Sequence, residues 1–163
     1  MSTTHSPDAR LAALGITLPG PTSPVGSYLP CIRHGNLLML SGQIPIQAGS
    51  VVFTGRVGGN GVSLADAQQA ARLCAVNALG IAAHALEGLE HIARVLKVVV
   101  YVASNPGFTD QPKVANGASD LFVEVFGEAG RHARAAVGVA ELPLNATVEV
   151  DVTFAVRASA SGS

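Results

Sequence analysis

HARAAVGVAELPLNATVEVDVTFAV, residues 132–156, reads as two strands and a short connection. The second strand, 147–156, alternates cleanly. Val148, Val150, Val152, Phe154 and Val156 fall on one side, and Thr147, Glu149, Asp151 and Thr153 on the other. Such period-two alternation marks a strand with one apolar face. The first strand, 133–140, is built from small and apolar residues around a single arginine, Arg134. A hairpin folded about 141–146 would set Arg134 near Thr153 and Glu149 near Gly138. Both side chains would then share a face, about 13 Å apart at 3.3 Å per residue.

Upstream, a helix is predicted over 112–126, with Val114, Ala118, Leu121, Phe122 and Val125 as its apolar stripe and Gly127 as its stop. Before it comes the turn Ser104-Asn105-Pro106-Gly107. A strand over 92–103 precedes that turn, its Val98-Val99-Val100 centre reading as buried on both sides. A longer helix spans 64–86, opened by the capping pair Ser63 and Asp66 and closed near Gly88. Its apolar face is predicted along Ala70, Leu73, Cys74, Asn77 and Ile81. The glycine-rich loop at 55–61 lacks the lysine and spacing of a phosphate loop. Short strands are predicted at 51–53, 37–41 and 27–34; the last two form a hairpin, with Pro30 placing its strand at an edge. Residues 11–18 read as a short helix or irregular arm, followed by chain-breaking prolines at 19, 21 and 24. Residues 1–10 and 158–163 read as frayed tails.

The resulting order, β-β-β-α-β-α-β-β, is a single α+β domain with two helices over one face of a sheet. The division predicted is an N-terminal arm at 1–23, the domain at 24–157 and a tail at 158–163. The sheet's other face has no cover from its own chain. Apolar residues make up 48% of the 163, which points to packing between copies. No stretch reaches the roughly 20 apolar residues of a membrane span, and the first residues do not form a signal peptide. A formal charge of −1 and 4% aromatic residues give no field or stacking surface for nucleic acid. Cys31 and Cys74 suit free thiols in a cytoplasmic protein. The five histidines show no metal-ligand spacing, so no metal is expected.

Several elements resemble one known family. Gly26-Ser27-Tyr28 and Ser41-Gly42-Gln43-Ile44-Pro45 are similar to its early motifs. Asn116 lies ahead of Phe122 on the second helix, as in that family. Ala133-Arg134-Ala135-Ala136-Val137 and Leu142-Pro143 followed by Val148-Glu149-Val150 resemble its closing motifs. The family is RidA, also called YjgF or L-PSP, the reactive-intermediate deaminases. The resemblance runs from about residue 24 to 156. It implies a chorismate-mutase-like fold, a homotrimer whose sheets form a central barrel, and clefts between subunits. It implies hydrolysis of 2-imino or enamine acids to 2-keto acids with release of ammonia, protecting pyridoxal-phosphate-linked metabolism, with no cofactor. Ala136 stands where many members carry Cys, His132 where Pro is common, and the N-terminal region is longer than in compact members.

Arg134, Glu149 and Tyr28 are the candidate catalytic residues. Arg134, Asn116, Ser41 and Ala136 are candidates for holding substrate. A guanidinium suits a carboxylate because two parallel hydrogen bonds match its planar fork. Small neighbours, Ala133, Ala135 and Ala136, leave room beside it. Glu149 could take a proton from a water, and the Tyr28 hydroxyl could donate to substrate. The alternative is a non-catalytic trimer that binds small carboxylates or acts as a chaperone. An endoribonuclease is disfavoured by the charge, and a chorismate mutase by the want of further cations around a dicarboxylate.

Overall fold

A computed structural model describes residues 6–21 and 26–158. The expectations for 1–5, for Pro24 and for 159–163 lie outside the described residues. The elements are α1 (Pro7–Ala13), β1 (Cys31–His34), β2 (Leu37–Leu40), β3 (Ile46–Gln47), β4 (Ser50–Val51), α2 (Leu64–Leu86), β5 (Ile92–Ala103), α3 (Gln111–Phe126), β6 (Ala133–Val139) and β7 (Val148–Val156). This is a mixed α+β domain of three helices and a mixed sheet.

The main sheet has the order β1-β2-β7-β5-β6. β5 and β6 run parallel, joined through α3, and the other pairs are antiparallel. The predicted 133–140/147–156 hairpin is therefore corrected: β5 lies between its two strands. Val100, at the centre of β5, pairs with Ala136 on one side and Val150 on the other. A long apolar strand gains most from a neighbour on each side, and a parallel crossover through a helix supplies one of them. The connection from Val139 to Val148 then steps over the end of β5 instead of turning tightly.

Helices α2 and α3 lie over one face of the sheet. Leu38, Val95, Val98, Val100, Val148, Val150, Val152 and Phe154 fill the core beneath them, all buried. The stripe predicted for α3 is buried throughout. In α2 the buried line runs instead through Ala67, Ala71, Cys74, Ala78 and Ala82, leaving Leu73, Asn77 and Ile81 partly exposed. The Ser63 cap forms as predicted, its hydroxyl accepting from the Asp66 amide at 3.1 Å. Gly117 marks the crossing of the helices: a side chain there would collide with the Gln68 carbonyl.

Residues 6–10, read above as a frayed tail, begin α1. Ser6 caps that helix, and Leu11 enters the core. Pro19 crosses α2 where Gly80 leaves space for it. On the uncovered face lie Ile32 and Met39, paired across β1 and β2 and each about half exposed at 55% and 51%. Val99 and Tyr101 share that face and are half-buried, so β5 is sealed on one side only within the chain.

Candidate functional site

Arg134 stands on β6, an edge strand, and its side chain leans toward α3. Its row in the sheet is Val98 and Val152, both buried under the helices. Nη1 donates to Asn116 Oδ1 at 2.8 Å and to Ser119 Oγ at 3.2 Å, and Nη2 donates to the Pro112 carbonyl at 3.2 Å. Asn116 and Ser119 are three residues apart on α3, the spacing that sets two side chains on one helix face. All three acceptors are neutral. Among the described residues no acid pairs with Arg134. Three of the five N–H groups of a guanidinium are thus used by the chain, leaving one on Nε and one on Nη2. Two donors on neighbouring nitrogens are what a carboxylate takes up in parallel bonds. Ala136, two residues on, shares this side and packs against the core.

Glu149 lies elsewhere. It pairs with Tyr101, which pairs with Val137, in a row on the uncovered face. Arg134 and Glu149 of one chain therefore point to opposite faces, not to the shared face that the hairpin required. They stand two strands and three residues apart, about 14 Å between Cα atoms at ordinary sheet spacings. Glu149 reaches over Gly42, where any side chain would collide with its carboxylate. With Leu40, Tyr101, Leu142 and Asp151 it lines a hollow of about 240 Å³. Burial, and secondarily the nearby Asp151 charge, push the Glu149 carboxyl up from its usual range. Burial does the same to Asp151.

Tyr28 and Ser41 meet at the β1–β2 edge, the far side of the sheet from β6. Ser41 Oγ donates to the Leu29 carbonyl at 2.6 Å, and its amide to the Pro30 carbonyl at 2.8 Å. These two bonds hold the segment carrying Tyr28, which is 55% exposed. Both residues line a cleft of about 490 Å³ with Leu29, Ile32 and Met39. One chain therefore brings together Arg134, Asn116 and Ala136, and separately Tyr28 and Ser41, with Glu149 beside this second group, over Gly42, and away from Arg134.

Two residues with no role assigned from sequence join the Arg134 group. Ser119 Oγ lies 2.9 Å from His132 Nε2, and His132 Nδ1 lies 2.7 Å from the Gly130 carbonyl. The His132 ring stands edge-on to Phe122, centroids 5.9 Å apart. Burial lowers the His132 pKa most; the bond to Gly130 opposes this and the Arg134 charge adds to it. The sequence clue was His132 two residues before Arg134, at a position where the family commonly has proline. Among the described residues no group of three or more His, Cys, Asp or Glu could hold a metal ion, and no helix is long and apolar enough to cross a membrane.

Comparison with known proteins places these features. The family model described as "YjgF/chorismate mutase-like, putative endoribonuclease" matches residues 8–156. Protein TCP17 of Trypanosoma cruzi is 46% identical over 144 residues, covering 88% of this chain and 89% of its own. A crystal structure of a protein of unknown function from Agrobacterium tumefaciens, Atu1372, is 48% identical, with a TM-score of 0.84, over 92% of this chain and 91% of that one. A Shewanella oneidensis protein carrying the same endoribonuclease designation is 32% identical, with a TM-score of 0.88, over 93% and 99% of the two chains. On the family model, the relatives and the shared fold, the chain belongs to the YjgF/chorismate-mutase-like family.

Proposed function

We propose that the chain hydrolyses small 2-imino or enamine acids to 2-keto acids, releasing ammonia, in pockets between the subunits of a homotrimer. The observation that supports this most is the Arg134 guanidinium, half-buried, bonded only to neutral acceptors and with two N–H groups to spare. The substrate carboxylate docks there, with Asn116 steadying the guanidinium and Ala136 leaving room for a short side chain. A water held by Glu149 attacks the C=N carbon. The C=N electron pair moves to nitrogen, which is protonated, and the carbinolamine collapses to the keto acid as ammonia leaves. A carboxylate whose pKa is raised is a stronger base toward that water than an ordinary one. Imines already react with water, so positioning plus about 10²–10⁴-fold from acid–base help is sufficient, without a cofactor.

Because Glu149 and Tyr28 stand away from Arg134 in their own chain, they serve a ligand on Arg134 only from a neighbouring copy. A head-to-tail ring, with the β6 edge of one copy against the β1–β2 edge of the next, would achieve this and close on itself. The exposed Tyr28, Ile32 and Met39 suit such a contact. With the uncovered faces turned inward, the three sheets form a central barrel. A cytoplasmic role guarding pyridoxal-phosphate enzymes from stray imines follows.

The test generates the imine in situ from serine or threonine with a pyridoxal-phosphate dehydratase and follows keto acid and ammonia. The protein is expected to accelerate their appearance, and Arg134→Ala to abolish the acceleration. A rate equal to buffer alone, with 2-oxobutyrate still bound, would favour the non-catalytic carboxylate binder instead.

A further inference from the structure

We infer that Ser119 and His132 are positioning residues for Arg134, setting its guanidinium toward the carboxylate through one directed chain of hydrogen bonds. This rests on the reading of Arg134 as the carboxylate dock. The direction follows from a single fixed end. The Gly130 carbonyl can only accept, so the His132 nitrogen 2.7 Å away, Nδ1, carries the hydrogen. In the neutral ring Nε2 is then bare, and the Ser119 hydroxyl 2.9 Å away donates to it. The hydroxyl's hydrogen being committed, its oxygen lone pairs remain for Arg134 Nη1 at 3.2 Å. Gly130 itself is fixed by close packing, since a side chain there would collide with the Phe122 carbonyl. The guanidinium is thereby tied to a rigid turn without meeting an acid that would compete with the ligand.

The charged surroundings of His132 are few. Arg134 follows it on β6, and Arg131 just before it is ion-paired with Glu128 at 3.2 Å. From β5, Arg94 bonds the Arg131 carbonyl, and Lys97 pairs with Ala133 in the sheet. On α3, Asp120 and Glu124 line the groove toward α2, with Glu124 paired to Arg72. Arg134 is the one whose charge disfavours a protonated His132. A carboxylate bound on Arg134 offsets that charge and makes protonation easier. Protonation would also put a hydrogen on Nε2, which could then no longer accept from Ser119, so the chain belongs to the neutral ring.

The experiment measures 2-oxobutyrate binding by calorimetry at pH 8, where the ring is neutral, with the ring tautomer of His132 read by nitrogen NMR. Ser119→Ala, and His132→Phe, which keeps a ring against Phe122, are each expected to weaken binding at pH 8 by roughly 3–10-fold, one lost hydrogen bond. Ser119→Thr should restore most of it. The unaltered protein should show the Nδ1–H tautomer at pH 8. An Nε2–H tautomer, or unchanged affinity in both Ser119→Ala and His132→Phe with Arg134→Ala inactive in binding, overturns this inference and leaves the dock standing. No binding by the unaltered protein, or full binding by Arg134→Ala, overturns the dock and this inference with it.

Discussion

Arg134 is held by three acceptors on α3, and the carboxylate dock proposed for it depends on the shape of the guanidinium as much as on its charge. Arg134→Lys keeps the charge but offers no planar fork. It is expected to lose 2-keto acid binding and imine hydrolysis while its thermal melt stays near that of the parent; near-normal activity would show that the carboxylate docks elsewhere. His132 carries a separate consequence for stability. Its folded-state pKa lies below the ordinary histidine value, so the unfolded chain takes up the proton first. Its contribution is therefore present above the unfolded value, about 6.5, and is lost as pH falls through the lower folded value. Melting curves should show stability dropping across that window, with the drop reduced in His132→Phe. Arg134 and Asn116 could be picked out from sequence because motif and residue type agreed. Ser119 could not: a serine in a helix usually bonds its own backbone, and only the folded chain reveals that its oxygen sits between an arginine and a histidine.

Helix ends were readable because caps are local chemistry, as Ser63 with Asp66 and the stop at Gly127 illustrate. The face of α2 was not, because alanine occurs on all its sides and an apolar stripe cannot be told from its neighbours. The pairing of β6 was misjudged for a related reason. A short connection suggests a hairpin, whereas the demand of β5 for a partner on each side is a property of the sheet. The contact of α2 with α3 gives the sharpest test of packing. At Gly117 an added methyl has no room against the Gln68 backbone. Gly117→Ala is expected to destabilise the fold by about 1–3 kcal/mol and to disturb the adjoining Asn116, weakening keto acid binding. An unchanged melting temperature would mean that the helices can separate freely.

The family could be recognised because several weak motifs occur in one order, and no single one would have sufficed. Which copy would supply each group of the proposed pocket is not legible in the sequence, because strand order decides it and a 133–156 hairpin has a different order from the sheet. The observed order turns the question into an experiment on assemblies. Light scattering should give about three times the 16.5 kDa chain mass; a stable monomer at micromolar concentration would remove both ring and pocket. Mixing inactive Arg134→Ala and inactive Glu149→Ala proteins under reversible dissociation should restore part of the activity, since some interfaces then pair an intact arginine with an intact glutamate. No recovery despite proven exchange would place both groups of a working site on one chain, against the opposite faces that Arg134 and Glu149 occupy.

The position of β7 also bears on how the protein comes into being. It comes last in chain order among the strands of its sheet, yet it lies mid-sheet, with Leu38 of β2 and Val95 of β5 both paired to Phe154. Until it leaves the ribosome, the β1–β2 hairpin and the β5–β6 pair have no strand to join them, and their apolar sides stay open to water. Late long-range pairing of this kind is slow and exposes the chain to aggregation. Nascent chains stopped before residue 148 should therefore be protease-sensitive and bound by chaperones, and the few residues that complete β7 should convert them to a resistant form.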